Sequence, residues 1–234
     1  MATRPAEPDS MTRIVAAVEA ARFGLRRERG QDRPLGRKAA RTREALLAAA
    51  YDVFTTQGYQ ATSVNDIAAA AGVSVGTFYQ YFRDRAGIMA ALVGDAVVVM
   101  FGARNRWDAR DGLPGVIRLV TSFVETYAGT APFQRLWEEV THVDAELAAL
   151  RRDVTHLLTA DVATELARAA ALGLVRDDLD PFTTASALTS MVDRYCYITY
   201  VFDPPPEGAP RPAEVAETLA RMWAGAVELE PAHR

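Results

Sequence analysis

The sequence predicts an all-α chain, with a small three-helix domain near the front and a longer helical region behind it. Three observations carry this. Apolar residues recur at helical spacing along most of the 234 residues, and no alternating strand pattern interrupts them. Half of the residues are hydrophobic, enough for a sizeable core. Between residues 41 and 92, three helical segments are separated by short breaks that carry turn and cap chemistry. The expected division is 1–36 as an N-terminal extension, 37–92 as a helix-turn-helix domain and 93–234 as a second helical domain.

The first domain helix shows Leu46, Leu47, Ala50, Val53 and Phe54 on one face, and Gly58 supplies its stop. Ser63 with Asp66 three residues later reads as a capping box. Val64, Ile67, Ala68 and Ala71 then make an apolar face, and Gly72 permits a tight turn. Ser74 caps a short helix whose Phe78 and Phe82 point toward the first two helices, leaving Thr77, Tyr79, Gln80 and Tyr81 to point elsewhere. Asp84 caps a long connecting helix that carries Ile88 and Leu92 and is expected to reach about Ala109. Helices follow from Pro114 to Gly129, from Pro132 through Trp137, from Asp144 to Leu172 and from Pro181 to Phe202. The Pro-rich stretch from Asp203 to Pro212 cannot be helical, and a last helix runs from Ala213 to about Glu228. Residues 190–202 are apolar around nearly their whole circumference, so full burial is expected there, with a second subunit covering one face.

A helix as short as the one after Ser74, with a polar and aromatic outer surface, is too short to serve packing alone. In a helix-turn-helix, the second helix enters the major groove of DNA. On periodicity alone, a three-helix bundle that binds nothing is the competing reading.

Charge is divided along the chain. Residues 1–90 hold 13 Lys/Arg against 9 Asp/Glu, and residues 91–234 hold 13 against 21. A basic front and an acidic rear suit a chain that offers one end to a polyanion. Within 1–36, Met11 to Arg29 reads either as a basic amphipathic arm adding phosphate contacts or as a leader without fixed structure, with Met11 an alternative start. One cysteine, Cys196, allows no internal disulfide and fits a reducing cytoplasm. The three histidines, His142, His156 and His233, are scattered, so no metal and no cofactor is expected. No apolar run reaches the ~18–20 residues of a membrane span, and the first residues lack the apolar centre of a signal peptide. No catalytic triad order, paired-carboxylate motif or phosphate-binding glycine loop points to an enzyme. Glu138 and Glu139 near His142 are the nearest polar constellation and read as a solvated helix face.

The stretch from Arg41 to Leu92 resembles the DNA-binding domain of the TetR family of bacterial transcriptional regulators. The resemblance rests on Arg43, Leu47, Ala49, Ala50, Phe54, Gly58, Tyr59, Thr62, Ser63, Val64, Ile67, Ala68 and Ala71. It continues without a gap through Gly72, Val73, Ser74, Gly76, Thr77, Phe78, Tyr79, Tyr81, Phe82, Asp84 and Arg85. Beyond it, the chain matches the family only in length, helicity and layout.

The resemblance implies that Val75, Gly76, Thr77, Tyr79, Gln80 and Tyr81 face DNA. Gln80 would pair with an adenine edge and Val75 pack on a thymine methyl, with Thr77 and Tyr79 on phosphates. Thr62 and Ser63 would present hydroxyls and N–H groups to a phosphate, with Arg43 and Arg85 adding charge. It also implies a regulatory and dimerisation role for 93–234 and a homodimer on a palindromic operator in double-stranded DNA, with interface helices at 182–202 and 215–227. The expected role is a repressor released by a small, mostly apolar effector. The alternative is a regulator without such an effector, or an activator. Candidate pocket residues are Phe123, Tyr127, Trp137, Met191 and Tyr195 for the wall and Thr121, His142 and Asp193 as polar anchors; each reads equally as core filling.

Overall fold

The structure, a computed structural model, describes residues 36–101 and 107–229; the expected arm or leader at 1–36 lies outside them apart from Gly36. α1 (Arg37–Gln57) buries Leu46, Leu47, Ala49, Ala50, Val53 and Phe54 along one stripe. It stops at Gly58, whose φ of 84° is open to glycine and strained for other residues. α2 (Val64–Ala70) begins with the capping box. Asp66 N–H donates to Ser63 Oγ at 3.2 Å, and Ser63 N–H donates to Asp66 Oδ2 at 2.8 Å. α3 (Val75–Tyr81) starts where Ser74 Oγ accepts the Thr77 N–H at 3.1 Å. α4 (Arg85–Phe101) starts where Asp84 Oδ1 accepts the Gly87 N–H at 2.8 Å. Leu46, Ala50, Phe54, Ile67, Phe78, Ile88, Met89 and Ala90 are fully buried.

The connecting helix does not extend to Ala109 as expected. Asp108 Oδ1 accepts the Arg110 N–H at 2.9 Å and starts a separate 3-10 turn over Ala109–Asp111. A short aspartate competing for backbone N–H groups favours such a turn over a continuing helix. α5 (Gly112–Gly129), α6 (Ala131–Val143), α7 (Ala145–Ala171), α8 (Pro181–Cys196) and α9 (Pro212–Ala226) follow. α5 packs along α9 and against α8. Val116, Val120, Val124 and Tyr127 of α5 share a core with Leu188, Val192 and Cys196 of α8 and Val215, Leu219 and Trp223 of α9. Trp107 meets Trp223 edge to face at 4.6 Å. Burial pushes the Cys196 thiol up to about 12, so it stays protonated at neutral pH.

The expected helix to Phe202 changes character at Cys196. Tyr197–Phe202 forms a π-helix, closed by the Asp203 N–H donating to the Ile198 carbonyl at 2.9 Å. Tyr200 and Val201 face the core, whereas Tyr195, Ile198 and Phe202 are exposed. The stretch from 190 to 202 is therefore not buried on all sides within one chain.

Among the described residues no strand occurs, and no helix is long and apolar enough to cross a membrane. The described chain divides into two compact units, 36–97 with 135–154, and 98–134 with 155–229. The first is wider than the 37–92 domain, because the end of α6 and the start of α7 belong to it.

Phe78 is fully buried and Tyr79 is 57% exposed, although they are adjacent. Phe78→Ala is expected to cost ~3–5 kcal/mol of stability, and Tyr79→Ala less than ~0.5. Urea unfolding of the two variants checks the contrast.

Candidate nucleic-acid interface

α3 commits one side chain to the core, that of Phe78. Val75, Thr77 and Tyr81 are half-buried, and Gly76, Tyr79 and Gln80 are exposed. The Thr77 hydroxyl lies 2.9 Å from Ser74 Oγ, which fixes it at the start of the helix. Gly76 has no internal reason to be glycine. A Cβ there would meet only Ser74 Oγ, at an ordinary 3.7 Å, and its φ is not positive. Glycine in a helix costs about 0.5–1 kcal/mol relative to alanine. The bare backbone at Gly76 leaves the start of α3 open to close approach from outside.

The frame around α3 differs from expectation in three places. Thr62 is 1% exposed, and its hydroxyl donates to the Gly58 carbonyl at 2.8 Å. It holds the turn and cannot offer that hydroxyl to a phosphate, so of the pair only Ser63 stays at the surface. The Ser63 hydroxyl donates to Asp66 Oδ2 at 2.6 Å, and these Ser63 bonds hold the Asp66 carboxyl below the usual carboxylate range.

Arg85 is also turned inward. Its Nη1 donates to the carbonyls of Tyr59 at 2.8 Å and Gln60 at 3.2 Å, and to that of Thr62, while its guanidinium lies over the Tyr59 ring at 4.9 Å. Arg43 lies over the Phe82 ring at 5.8 Å. Both cations flank the motif, and both have inward contacts that a freely solvated charge would not make.

A further exposed basic set lies outside the expected site residues. Arg37, Lys38 and Arg41 are exposed at the start of α1. That first turn has no acidic residue, and its cap, Gly36, makes no side-chain bond. Cations at a helix N-terminus oppose the helix dipole by about 0.3–1 kcal/mol each. The signal was readable as a basic run ahead of an uncapped helix, but in sequence Arg37 and Lys38 look like the tail of the basic extension.

The same unit contains residues 135–154. The Tyr59 hydroxyl donates to Asp144 Oδ2 at 3.1 Å. Arg83 Nη2 reaches Glu146 at 3.2 Å and Arg83 Nε reaches Asp84 at 2.6 Å. Glu139 lies over Gly58, where a Cβ would meet its carboxylate oxygens at 3.5 Å. An open cleft of about 440 Å³ runs between Tyr59, Arg83, Asp84, Arg85, Val143, Asp144 and Glu146. Glu138 and Glu139 are thus not a plain solvated face. Glu138 pairs with Arg151 at 2.6 Å, and its carbonyl lies 2.7 Å from His142 Nδ1.

The candidate pocket residues fall in both units. Thr121, Phe123, Tyr127, Met191, Asp193 and Tyr195 belong to one unit, and Trp137 and His142 to the other. Phe123 and Tyr127 are neighbours, rings 5.6 Å apart, and Met191 packs on the same core. Tyr195 is 40% exposed, although Leu188, two turns earlier on the same side of the helix, is buried. His142 is exposed as well. Among the described residues, no group of three His, Cys, Asp or Glu is placed to hold a metal ion.

The profile of the family described as bacterial regulatory proteins, tetR family, matches residues 46–92. The match covers the helix-turn-helix segment and not the chain behind it. Within the curated relatives, the HTH-type transcriptional repressor BepR of Brucella suis is 41% identical over 59 residues, 25% of this chain and 28% of BepR. The chain thus matches little more than a quarter of that relative's length. The TetR-type fold extends further. NalD, the secondary repressor of the MexAB-OprM multidrug efflux pump in Pseudomonas aeruginosa, superposes with a TM-score of 0.67 at 20% identity, over 82% of this chain and 98% of NalD. Salmonella enterica GusR gives a TM-score of 0.67 at 19% identity, over 83% of this chain and 98% of GusR. At these identities the likeness shows the fold alone.

Replacing Gly76 with alanine separates folding from binding. Gly76→Ala is expected to hold or raise the thermal midpoint, since the site has room and alanine favours helix. It is expected to weaken duplex DNA binding by blocking close approach, which fluorescence anisotropy would measure.

Proposed function

We propose that the chain is a DNA-binding transcriptional regulator, not an enzyme, that acts as a homodimeric repressor on a palindromic operator and is released by a small, mostly apolar effector. The observation that carries DNA reading is α3. It is a capped helix of seven residues, held by Phe78, with Gly76, Tyr79 and Gln80 open on its outer side. Such a helix fits the major groove, where Gln80 reads an adenine edge and Val75 meets a thymine methyl. Thr77 and Tyr79 hold phosphates, and Arg37, Lys38 and Arg41 add charge from the start of α1. BepR and NalD are both named as repressors, which supports repression here.

One short helix reads only a few base pairs, so a second copy is needed to define a site. The single chain leaves Phe182, Tyr195, Ile198 and Phe202 exposed along α8 and its π-helical end, and Met222 exposed on α9. An apolar face of this kind is the surface a second copy would cover. Support for an apolar effector comes from the unit built on α5, α8 and α9. The indole N–H of Trp107 and the hydroxyl of Tyr200 are buried there without a partner among the described residues. Leaving a buried donor unmet costs about 1–3 kcal/mol, and an effector carrying an acceptor oxygen on an apolar body would relieve such a group.

The test is selection of duplexes from a random pool by the full chain. A palindromic consensus is expected, and Gln80→Ala is expected to relax one base preference per half-site at a cost of ~1–3 kcal/mol. Enrichment of no sequence at all would overturn the reading. Neutralising Lys38 and Arg41 is expected to weaken binding to all duplexes alike and to reduce the salt slope by about 0.9 for each phosphate that is no longer neutralised. Ile198→Glu is expected to yield monomers by light scattering, with operator affinity lost alongside.

A further inference from the structure

The unit that contains α3 has an internal brace which no DNA contact requires. Asp144 is the single residue between α6 and α7. Its Oδ1 accepts the N–H groups of Glu146 and Leu147, both at 3.1 Å, and so starts α7. Its other oxygen, Oδ2, accepts the Tyr59 hydroxyl at 3.1 Å, across 85 residues of sequence. Tyr59 is 5% exposed, and its ring packs on Phe54 at 5.4 Å and under the Arg85 guanidinium at 4.9 Å. Arg85 in turn holds the carbonyls of Tyr59, Gln60 and Thr62, the last of them the residue before the Ser63 cap of α2. A continuous chain of bonds thus runs from the α6–α7 junction to the first turn of α2, which packs on α3.

Resting on the DNA-reading role proposed above, we infer that Tyr59 and Asp144 are positioning residues for operator binding, although neither touches DNA. The phenol–carboxylate bond joins residues 135–154 to the three front helices as one reading body. Burial and the Asp144 charge both push the Tyr59 hydroxyl well above the ordinary tyrosine range, so it remains a donor at any physiological pH. Asp144 divides its two oxygens between α7 and Tyr59. When the phenol is removed, the α7 cap stays and only the link to α2 and α3 is lost. The neighbouring Arg83–Glu146 pair is largely exposed and adds little.

The test uses the full chain in three forms, Tyr59→Phe, Asp144→Ser and the double variant. Phenylalanine keeps the ring, and serine keeps a cap for α7. Against the duplex selected by the wild type, at a temperature where all forms stay folded, each single variant is expected to lose about tenfold in affinity, the size of one hydrogen bond to a charged acceptor. The double variant is expected to bind no more weakly than either single one, because both remove the same link. Wild-type affinity in Tyr59→Phe, or losses that add in the double variant, would overturn the inference. Hydrogen exchange of the free proteins supplies a readout independent of DNA. Tyr59→Phe is expected to speed exchange at both 58–66 and 144–150, and a change confined to 58–66 would sink it. If the wild type selects no duplex, the DNA-reading role fails, and the exchange experiment still decides the pair.

Discussion

A helix of seven residues has too few internal hydrogen bonds to persist alone, since isolated helices under ~12–15 residues are marginal in water. α3 is such a helix, and the unit around it is arranged to hold it. Phe78 anchors it in a core of Leu46, Phe54, Ile67 and Ile88. Ser74 binds its first turn, and Gly72 and Val73 lead into it through backbone bonds back to Ala69 and Ala68. Because its stability comes from outside, the outer side of α3 is free of packing duties. Tyr79 and Gln80 can be chosen for what they meet rather than for what they support.

The placement of charge follows from the same constraint. Cations that look alike in sequence have different tasks. Arg85 closes the 59–62 turn through three carbonyls, and Arg43 covers the Phe82 ring. Arg37, Lys38 and Arg41 stand in solvent at a helix start that electrostatics would rather leave acidic. The first two stabilise the unit, and the last three weaken α1 slightly while giving it an outward-facing positive edge. Arg83 lies between these cases, shared between Asp84 and Glu146 near the surface.

What could be read from sequence divides along the same lines. Cap chemistry is local, so Ser63 with Asp66, Ser74, Asp84, Asp144 and Pro181 marked their helices correctly. The face of α3 was legible for the same reason, since Phe78 and its neighbours differ in type. The task of Thr62 was hidden, because its bond to the Gly58 carbonyl competes with an equally reasonable exposed role. That of Arg85 was hidden because its acceptors lie 23 to 26 residues earlier. The Tyr59–Asp144 bond joins positions that no periodicity relates. In the second unit, aromatic content pointed to a pocket without a phase, and Tyr195 is exposed although it shares a helical side with buried Leu188.

The π-helical end of α8 sets which side chains this surface can show. With about 4.4 residues per turn in place of 3.6, the stretch from Tyr197 to Phe202 holds nearly one residue more per turn than the helix feeding it. Tyr200 and Val201 both reach the core, while Ile198 and Phe202 come to lie together on the outside. Loss of a single residue here would restore ordinary winding at nearly the same overall angle, since six residues of the wider turn and five of the ordinary one sweep almost equal arcs. The helix would lose one side chain rather than turn its outer side away. In this part of the chain, the wide turn absorbs a change of length that an ordinary helix would pass on to everything after it. A relative one residue shorter and wound as an ordinary helix throughout would present nearly the same side outward.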